Sequence, residues 1–304
     1  MEIIKVMPRG YCKGVIRAIR MAVECTKRYP NQPITILGML VHNHYVMKAL
    51  ALHHIKMIDD PNKTREQLLD EITEGVVIFT AHGIAPQVLE KAQKKGLICI
   101  DASCPDVLKT QALVKAKLDA GYEVIYIGKA KHPEAEAVCA LSDHIHFMEP
   151  KDPIISLPEG KLFITNQTTM SIYDLEALFQ KLKECYPDAE FCEEICNATR
   201  IRQEAVAELE QIDVLYVVGD RFSNNSNRLA QIGAEHGIKS VYLIDTVNDI
   251  ESNQLHDAKR VAVTAGASTP TYLTDQVIAY LQDFREDKQK PKLELSALLN
   301  GIIE

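Results

Sequence analysis

The stretch Leu97-Ile98-Cys99-Ile100-Asp101-Ala102-Ser103-Cys104-Pro105 joins an apolar run to the start of a helical pattern, with Cys104 at the junction. Two other cysteines, Cys12 and Cys196, stand in the same context. The spacings are equal, since 104 − 12 and 196 − 104 are both 92. Equal spacing of matching segments predicts a chain built from three copies of one unit.

The surroundings of the three cysteines match in kind. An apolar run typical of a β-strand precedes each cysteine, and an amphipathic helical pattern with apolar residues at three- and four-residue steps follows it. The runs are 3–6, 97–100 and 189–192, and the helical patterns are 15–29, 107–120 and 198–212. Each copy therefore begins with a strand, a cysteine and a helix.

The repetition continues downstream. A short apolar run closed by glycine follows each helix, and a polar residue stands four positions later: His42, His132 and Ser223. Two more predicted strands complete each copy. The first ends near an acid, at 55–59, 145–149 and 241–245; the second, at 76–80, 162–165 and 261–264, is followed by His82, by Gln167-Thr168 and by Ser268.

Alternating strands and helices of this length predict an α/β fold with parallel sheets and right-handed crossovers. We predict three small α/β domains in a pseudo-threefold, trefoil-like arrangement around a central cavity for a metal cluster. The domains are residues 12–103, 104–195 and 196–284, the last completed by a strand within 1–11. The tail, 285–304, should be solvated at its charge run 285–288, and 293–299 should pack back on the body.

Composition restricts the function classes. Of the 304 residues, 46% are hydrophobic and 25% are charged, as in ordinary globular proteins. The net charge of −8 makes nucleic acid an unlikely partner. No apolar run approaches the roughly 20 residues of a membrane span, and residues 1–5 lack a signal-peptide pattern. We expect a cytoplasmic protein, a monomer in preference to an oligomer, with its eight cysteines reduced.

Three cysteines at strand-to-helix junctions suit a metal centre. A helix N-terminus lowers a thiol pKa, and an odd number of thiols leaves one over from any disulfide. Zinc with Cys12, Cys104, Cys196 and His132 is one possibility. A cubane iron–sulfur cluster is the other; it normally takes four cysteines, so three would leave one iron open to substrate. The pattern offers no fourth equivalent cysteine, which favours the open iron over zinc and over three buried structural thiols.

The polar residues at the strand ends are of the kinds that hold an anion and move protons. His42, His82 and His132 can donate to phosphate oxygens, and a histidine titrates near neutral pH. Ser223-Asn224-Asn225-Ser226 offers further donors, although such a run is also typical of a turn before a helix cap. Glu134 in an enclosed pocket could have a raised pKa and supply a proton. GxGxxG and Walker motifs are absent, so the sequence does not indicate a dinucleotide or ATP.

Seven motifs, in order from residue 10 to about 270, resemble the LytB family of 4-hydroxy-3-methylbut-2-enyl diphosphate reductases. They are Gly10-Tyr11-Cys12-Lys13-Gly14-Val15, Asp101-Ala102-Ser103-Cys104-Pro105, Gly128-Lys129-Ala130-Lys131-His132-Pro133-Glu134, Gln167-Thr168-Thr169, Ile195-Cys196-Asn197-Ala198-Thr199, Ser226-Asn227-Arg228-Leu229 and Thr264-Ala265-Gly266-Ala267-Ser268. The chain departs from the family at Asn224, where a second serine is frequent, and at Lys129, Lys131 and Arg200-Ile201.

The resemblance implies the last step of the non-mevalonate isoprenoid pathway. An allylic alcohol diphosphate is reduced by two electrons and loses its hydroxyl as water, which yields isopentenyl and dimethylallyl diphosphate. The resemblance further implies a [4Fe–4S] cluster on Cys12, Cys104 and Cys196 and a ferredoxin or flavodoxin as electron donor. It assigns Glu134 as the proton donor, with Thr168 beside the substrate hydroxyl. The implied diphosphate ligands are His42, His82, His132, Ser223, Asn224, Asn225 and Ser268.

Two hypotheses from other classes remain at this point. A zinc-stabilised protein that binds a small phosphorylated metabolite would use the same thiols without redox chemistry. An electron-transfer protein would need a fully ligated cluster, and therefore a fourth cysteine such as Cys99 or Cys192. Replacing either of those two cysteines with serine would then destroy the cluster, whereas the reductase hypothesis expects both changes to be tolerated.

Overall fold

The computed structural model of the protein describes residues 1–285 and 287–302. Within these residues, strands and helices alternate along the chain. The strands are β1 (Glu2–Lys5), β2 (Ile34–Leu37), β3 (Ile55–Ile58), β4 (Val76–Phe79), β5 (Ile98–Asp101), β6 (Glu123–Ile127), β7 (Ile145–Met148), β8 (Leu162–Asn166), β9 (Glu190–Phe191), β10 (Val214–Val218), β11 (Ser240–Ile244) and β12 (Arg260–Ala265). The α-helices are α1 (Lys13–Arg28), α2 (His44–Ala51), α3 (Arg65–Asp70), α4 (Pro86–Lys94), α5 (Pro105–Asp119), α6 (Pro133–Cys139), α7 (Ile172–Cys185), α8 (Asn197–Ala207), α9 (Asn224–Glu235) and α10 (Thr271–Gln282). Short 3₁₀ turns lie at Val247–Asp249, Ser252–Leu255 and Leu295–Leu299.

The strands form three parallel sheets of four strands each within the described residues, with orders β3-β2-β4-β5, β7-β6-β8-β9 and β11-β10-β12-β1. These orders are equivalent: the first strand after each long helix lies between the second and the third, and a fourth strand flanks the third. The N-terminal strand supplies the fourth strand of the last sheet, where Glu2 to Lys5 pair with Arg260 to Val263. The α/β class and its threefold repetition are therefore confirmed.

Each sheet is built on near-continuous apolar runs, as expected for parallel strands that are covered on both faces. All the residues of β2, β4 and β10 are buried. β9 is the weakest strand, with only Glu190–Phe191 in ladder positions, and its sequence is also the least apolar of the three runs that precede the cysteines.

The chain divides into two compact units. The first comprises Met1–Val23, Val41–His54 and Asn197–Glu304 and contains the sheet of β1, β10, β11 and β12. The second comprises Glu24–Leu40 and Ile55–Cys196 and contains the other two sheets. The three domains 12–103, 104–195 and 196–284 remain a prediction, since two of the three sheets belong to one compact unit.

Helix starts and ends differ from the sequence expectation by a few residues. The third repeat helix, expected over 198–212, ends at Ala207. Gln211, four residues further on, adopts a left-handed φ of 55°, which excludes it from a continuous α-helix over 198–212. Ile212 is nevertheless buried as the chain enters β10, which explains why its apolar side chain extended the apparent pattern.

The C-terminal tail packs on the first unit as expected for its apolar part. Leu298 and Leu299 are buried, the Tyr11 hydroxyl donates to the Leu298 carbonyl at 3.1 Å, and Arg20 Nε donates to the Ile302 carbonyl at 2.8 Å. In the predicted charge run 285–288, Arg285 and Asp287 are exposed, and Glu286 lies outside the described residues. Among the described helices, none is both long and apolar enough to span a membrane.

Candidate active site

The three cysteines of the repeat occupy equivalent positions in the fold. Cys12, Cys104 and Cys196 follow the fourth strands β1, β5 and β9, and each immediately precedes a helix, namely α1, α5 or α8. Their backbone N–H groups donate to Ala267, Ala81 and Thr168 at 2.9, 2.9 and 3.0 Å, and each of these carbonyls stands two residues after the third strand of the same sheet. The threefold pattern of the sequence is therefore a threefold pattern of hydrogen bonds.

The thiols have the chemistry that an iron–sulfur group requires. All eight cysteines, each within the described part of the chain, are thiols, and the three repeat cysteines are partly buried. Cys104 is the N-cap of α5, and Pro105 occupies the first turn of that helix. The thiolate is the form of cysteine that binds iron. Cys104 and Cys196 belong to the second unit and Cys12 to the first.

Cys99 and Cys192, the possible fourth ligands, differ from these three. Cys99 Sγ lies 3.6 Å from the Leu97 carbonyl, and Cys192 Sγ donates to Glu194 Oε1 at 3.3 Å. Burial raises the pKa of both thiols, and the Glu194 carboxylate raises that of Cys192 further. Both cysteines stand outside the strand-to-helix junctions of the repeat, the position that Cys12, Cys104 and Cys196 share.

Glu134 is a buried acid of the second unit. It lies in the first turn of α6 and is 1% exposed. Thr168 binds both of its oxygens, since the backbone N–H donates to Oε1 at 2.7 Å and Oγ1 donates to Oε2 at 3.0 Å. Burial raises the pKa of Glu134 to about 7 from an ordinary value of 4.5, although the Thr168 hydrogen bonds act in the opposite direction. The carboxyl group is therefore protonated at neutral pH to an extent that an exposed glutamate is not.

Two of the predicted histidines lie close together beside this acid. The rings of His82 and His132 are 5.5 Å apart, edge to face. His132 is the N-cap of α6 and its Nδ1 accepts the Glu134 N–H at 3.2 Å, which leaves Nε2 as the ring atom directed away from the helix. The ring of His82 is placed by Thr80, whose Oγ1 lies 3.2 Å from its Nδ1. The second unit thus brings together His82, His132, Glu134 and Thr168.

The first unit brings together the remaining polar residues of the sequence prediction. Ser268 Oγ donates to the His42 carbonyl at 2.9 Å. Ser223 caps α9 through Ser226 N–H at 3.3 Å, so the polar run 223–226 forms the beginning of that helix. Asn224 and Asn225 lie in its first turn, and both are 5% exposed. The run 223–226 therefore forms a turn and a helix cap, which is one of the two alternatives that the sequence offers. A cap at this place is compatible with a binding role, because a helix N-terminus can itself bind an anion.

Asn225 has a buried side-chain amide that a polar ligand would satisfy. Both polar atoms of its side-chain amide, Nδ2 and Oδ1, are buried and have no hydrogen-bond partner among the described residues. Ser226 Oγ is in the same condition, and it lies so close to Gly219 and Gly266 that a Cβ at either position would stand 2.3 or 2.1 Å from it. A buried amide without partners costs free energy unless a polar ligand satisfies it.

The sequence analysis does not identify Asp220, which supports the loops that carry His42 and Ser223. Asp220, 1% exposed on its side chain, accepts the His44 N–H at 2.9 Å, lies 2.8 Å from His44 Nδ1, and accepts the Phe222 N–H at 2.9 Å. The Asp220 carboxylate therefore connects His44, two residues after His42, to the loop that precedes Ser223. Only the tertiary fold brings positions 44 and 220 together, so no local signal could have identified the pair.

Known proteins resemble this chain along its whole length. The LytB protein family matches residues 3–282. A 4-hydroxy-3-methylbut-2-enyl diphosphate reductase from Anoxybacillus flavithermus is 46% identical, with 99% of this chain and 98% of that protein covered. The reductase of the same name from Geobacillus thermodenitrificans is 49% identical over 93% of this chain and 91% of that protein. The chain belongs to the LytB protein family.

Solved structures agree with this membership. The E-1-hydroxy-2-methyl-but-2-enyl-4-diphosphate reductase from Plasmodium falciparum superposes with a TM-score of 0.86 at 32% identity, over 96% of this chain and 95% of that one. A structure described as (E)-4-hydroxy-3-methyl-but-2-enyl diphosphate reductase, the terminal enzyme of the non-mevalonate pathway, gives a TM-score of 0.63 at 27% identity and covers 93% of this chain. The LytB resemblance drawn from seven motifs is confirmed.

The raised pKa of Glu134 predicts how the stability of the fold depends on pH. A carboxyl with a pKa near 7 in the folded chain and 4.5 in the unfolded chain stabilises the fold fully below pH 4.5. This contribution, about 3 kcal/mol, is lost as the pH rises through 7, because the unfolded chain then gains by releasing the proton. We expect the urea midpoint of the metal-free protein to fall between pH 5 and 8, and to fall less in Glu134→Gln. Equal pH dependence in the two proteins would contradict a raised pKa.

Proposed function

We propose that this chain is an iron–sulfur reductase that converts (E)-4-hydroxy-3-methylbut-2-enyl diphosphate to isopentenyl and dimethylallyl diphosphate. The conversion consumes two electrons and two protons and releases the hydroxyl as water. The observation that carries the proposal is the pair of Glu134 and Thr168, a buried acid with a pKa near 7 beside a hydroxyl donor. Membership in a family of diphosphate reductases supplies the reaction class.

Cys12, Cys104 and Cys196 are the residues that would hold a [4Fe–4S] group with one iron left open. Their partly buried thiols at helix N-termini support this assignment. When bound, the group would supply electrons singly and would act as a Lewis acid toward the substrate hydroxyl. A ferredoxin or flavodoxin is the proposed source of the electrons.

Glu134 would deliver a proton to the departing hydroxyl. A hydroxide is a poor leaving group and water is a good one, so the proton must arrive as the C–O bond breaks. A pKa near 7 suits this task, since the acid is partly protonated at neutral pH and still transfers its proton readily. Thr168 Oγ1, which donates to Glu134 Oε2, would orient the carboxyl and lie beside the substrate hydroxyl. The buried position of both residues would keep bulk water away.

The diphosphate would be held by two groups of donors. His82 and His132 would contribute from the second unit, and His42, Ser223, Asn224, Asn225 and Ser268 from the first. The support for the second group is the polar first turn of α9 and the buried amide of Asn225, which has no hydrogen-bond partner in the described part of the chain. An anion at a helix N-terminus is stabilised by the N–H groups and by the helix dipole.

The test of the proposal is anaerobic purification followed by iron, sulfide and zinc analysis and an assay with a chemical one-electron donor. We expect a brown protein with about four irons and four sulfides per chain, as a cubane cluster requires. Addition of the allylic diphosphate should shift the absorption spectrum, and both isoprenoid diphosphates should form. A colourless protein that retains stoichiometric zinc and takes up no iron would overturn the reductase and leave a zinc-stabilised binding protein.

Asn225→Ala should weaken substrate binding and leave the iron content unchanged. A hydrogen bond to a charged group is worth about 1.5–3 kcal/mol, so KM should rise about ten- to a hundredfold. Asn225→Asp has the same shape but adds a negative charge beside the diphosphate, and its KM should rise further. Asn253→Ala, an exposed asparagine in the 3₁₀ turn Ser252–Leu255, is the control. An unchanged KM in Asn225→Ala would remove this residue from the diphosphate site.

The pH profile of turnover should follow Glu134. Since its protonated form is the active one, kcat should be level below pH 6 and fall as the pH rises through about 7. In Glu134→Gln the residual rate should lack this limb, because glutamine does not titrate. If kcat falls at the same pH in both proteins, the fall is caused by the titration of another group.

A further inference from the structure

Glu194 is a buried carboxylate two residues before Cys196, and the proposed reaction does not use it. Its side chain is 5% exposed. Lys109 Nζ lies 3.1 Å from both of its oxygens, and Thr110 Oγ1 donates to Oε2 at 3.3 Å. Both partners lie in the first two turns of α5, the helix that begins immediately after Cys104. The carboxylate therefore joins the segment of one cysteine to the helix of another.

The backbone around Glu194 is attached to the end of β8. The Glu194 N–H donates to Asn166 Oδ1 at 3.1 Å, and Asn166 Nδ2 donates to the Gln167 carbonyl at 2.9 Å. Two residues later, the Cys196 N–H donates to the Thr168 carbonyl at 3.0 Å. The segment 194–196 is thus held at its side chain by α5 and at its backbone by residues 166–168.

These contacts depend on the charge of Glu194. A buried carboxylate is stable only when donors compensate for its lost hydration, and here Lys109, Thr110 and the Cys192 thiol supply them. The carboxylate in turn raises the pKa of the Lys109 ammonium, which stays charged. The side chain of Lys109 is 69% exposed, so solvent screens part of the attraction between its ammonium and the carboxylate.

We propose that Glu194 is a positioning residue that holds Cys196 in register with the helix of Cys104, so that both thiols are arranged before iron is bound. The inference rests on the proposed function, which makes these two cysteines iron ligands. Residues that orient metal ligands without touching the metal typically contribute about 10–100-fold to metal affinity. Glu194 acts through Cys196 and has no part in the proton transfer of Glu134.

The test compares Glu194→Gln with Glu193→Gln after anaerobic iron–sulfur reconstitution. The two variants remove one negative charge from adjacent positions, but Glu193 is exposed, so only the first loses the attachment to α5. The readout is the rate at which an iron chelator bleaches the reconstituted protein, together with its iron content. We expect bleaching about 10–100-fold faster than wild type in Glu194→Gln and a wild-type rate in Glu193→Gln.

A second pair of variants separates positioning from a loss of folding. Lys109→Met removes the ammonium and should bleach faster than wild type, whereas Lys109→Arg keeps a cation on the carboxylate and should restore the slow rate. In the double variant Lys109→Met/Glu194→Gln, the two effects should be less than additive, because both changes break one contact. The circular dichroism spectrum of each metal-free variant should match that of the wild type.

The outcomes distinguish this inference from the proposed function. If the wild-type protein takes up iron and sulfide but Glu194→Gln and Glu193→Gln bleach at the same rate, the positioning role of Glu194 is wrong and the reductase stands. If the wild-type protein takes up no iron at all, both proposals are overturned.

Discussion

Glu134→Gln is expected to lower kcat by about 10²–10⁴-fold, the range attributed to a positioned general acid. Glutamine has nearly the shape of glutamic acid and can accept the Thr168 N–H that now goes to Oε1 at 2.7 Å. It has no acidic proton, so the hydroxyl would have to leave without protonation. Iron content, sulfide content and the KM for the diphosphate should stay close to wild type, since Glu134 is not among the proposed ligands of either group.

The measurement is a single-turnover assay of the reduced protein, with substrate binding followed separately by the spectral shift. Glu136→Gln is the matched control, because Glu136 stands two positions further along α6 and is exposed. It should turn over as the wild type does. A wild-type rate in Glu134→Gln would exclude Glu134 as the proton donor, and a loss of iron in that variant would give it a structural role instead.

Cys104→Ser is expected to lose the iron–sulfur group or to retain less than a tenth of the wild-type iron, as the removal of one of three thiolate ligands should. The alcohol of serine is far less acidic than a thiol and is a harder ligand, so it competes poorly for iron. The helix itself should survive, because Pro105 still occupies the first turn of α5 and serine is a good N-cap. Activity should fall with the iron content.

The controls for this variant are Cys99→Ser and Cys192→Ser. Cys99 lies on β5, only five residues before Cys104, and Cys192 is four residues before Cys196, so each tests whether any nearby thiol matters. Both should retain the full iron content. Loss of the cluster in either control would indicate a fourth ligand and an electron-transfer protein, whereas an intact, active cluster in Cys104→Ser would refute the three-thiol site.

The repeat could be identified from the sequence because every copy encodes the same local events. A strand, a cysteine or polar residue at its carboxyl end and a helix recur with one period, and the hydrogen bonds of Cys12, Cys104 and Cys196 recur with it. The pairing of β1 with β12 also followed from the pattern, since the third copy lacked a fourth strand of its own. The helix ends were predicted less accurately: the apolar periodicity continues to Ile212, which is buried, but α8 ends at Ala207 and Gln211 has a left-handed φ.

What the sequence determined by itself is therefore the list of chemical groups and the strand ends at which they stand. Local pattern and spacing are properties of one segment at a time, and they were enough for the α/β class, the cysteines and the strand-end histidines. The tertiary structure alone decided the environments: the burial that raises the pKa of Glu134 to about 7, the buried amide of Asn225 without a hydrogen-bond partner among the described residues, and the contact of Glu194 with α5. These depend on residues 34 to 176 positions apart, such as Glu134 and Thr168 or His44 and Asp220, whose proximity exists only once the sheets have formed.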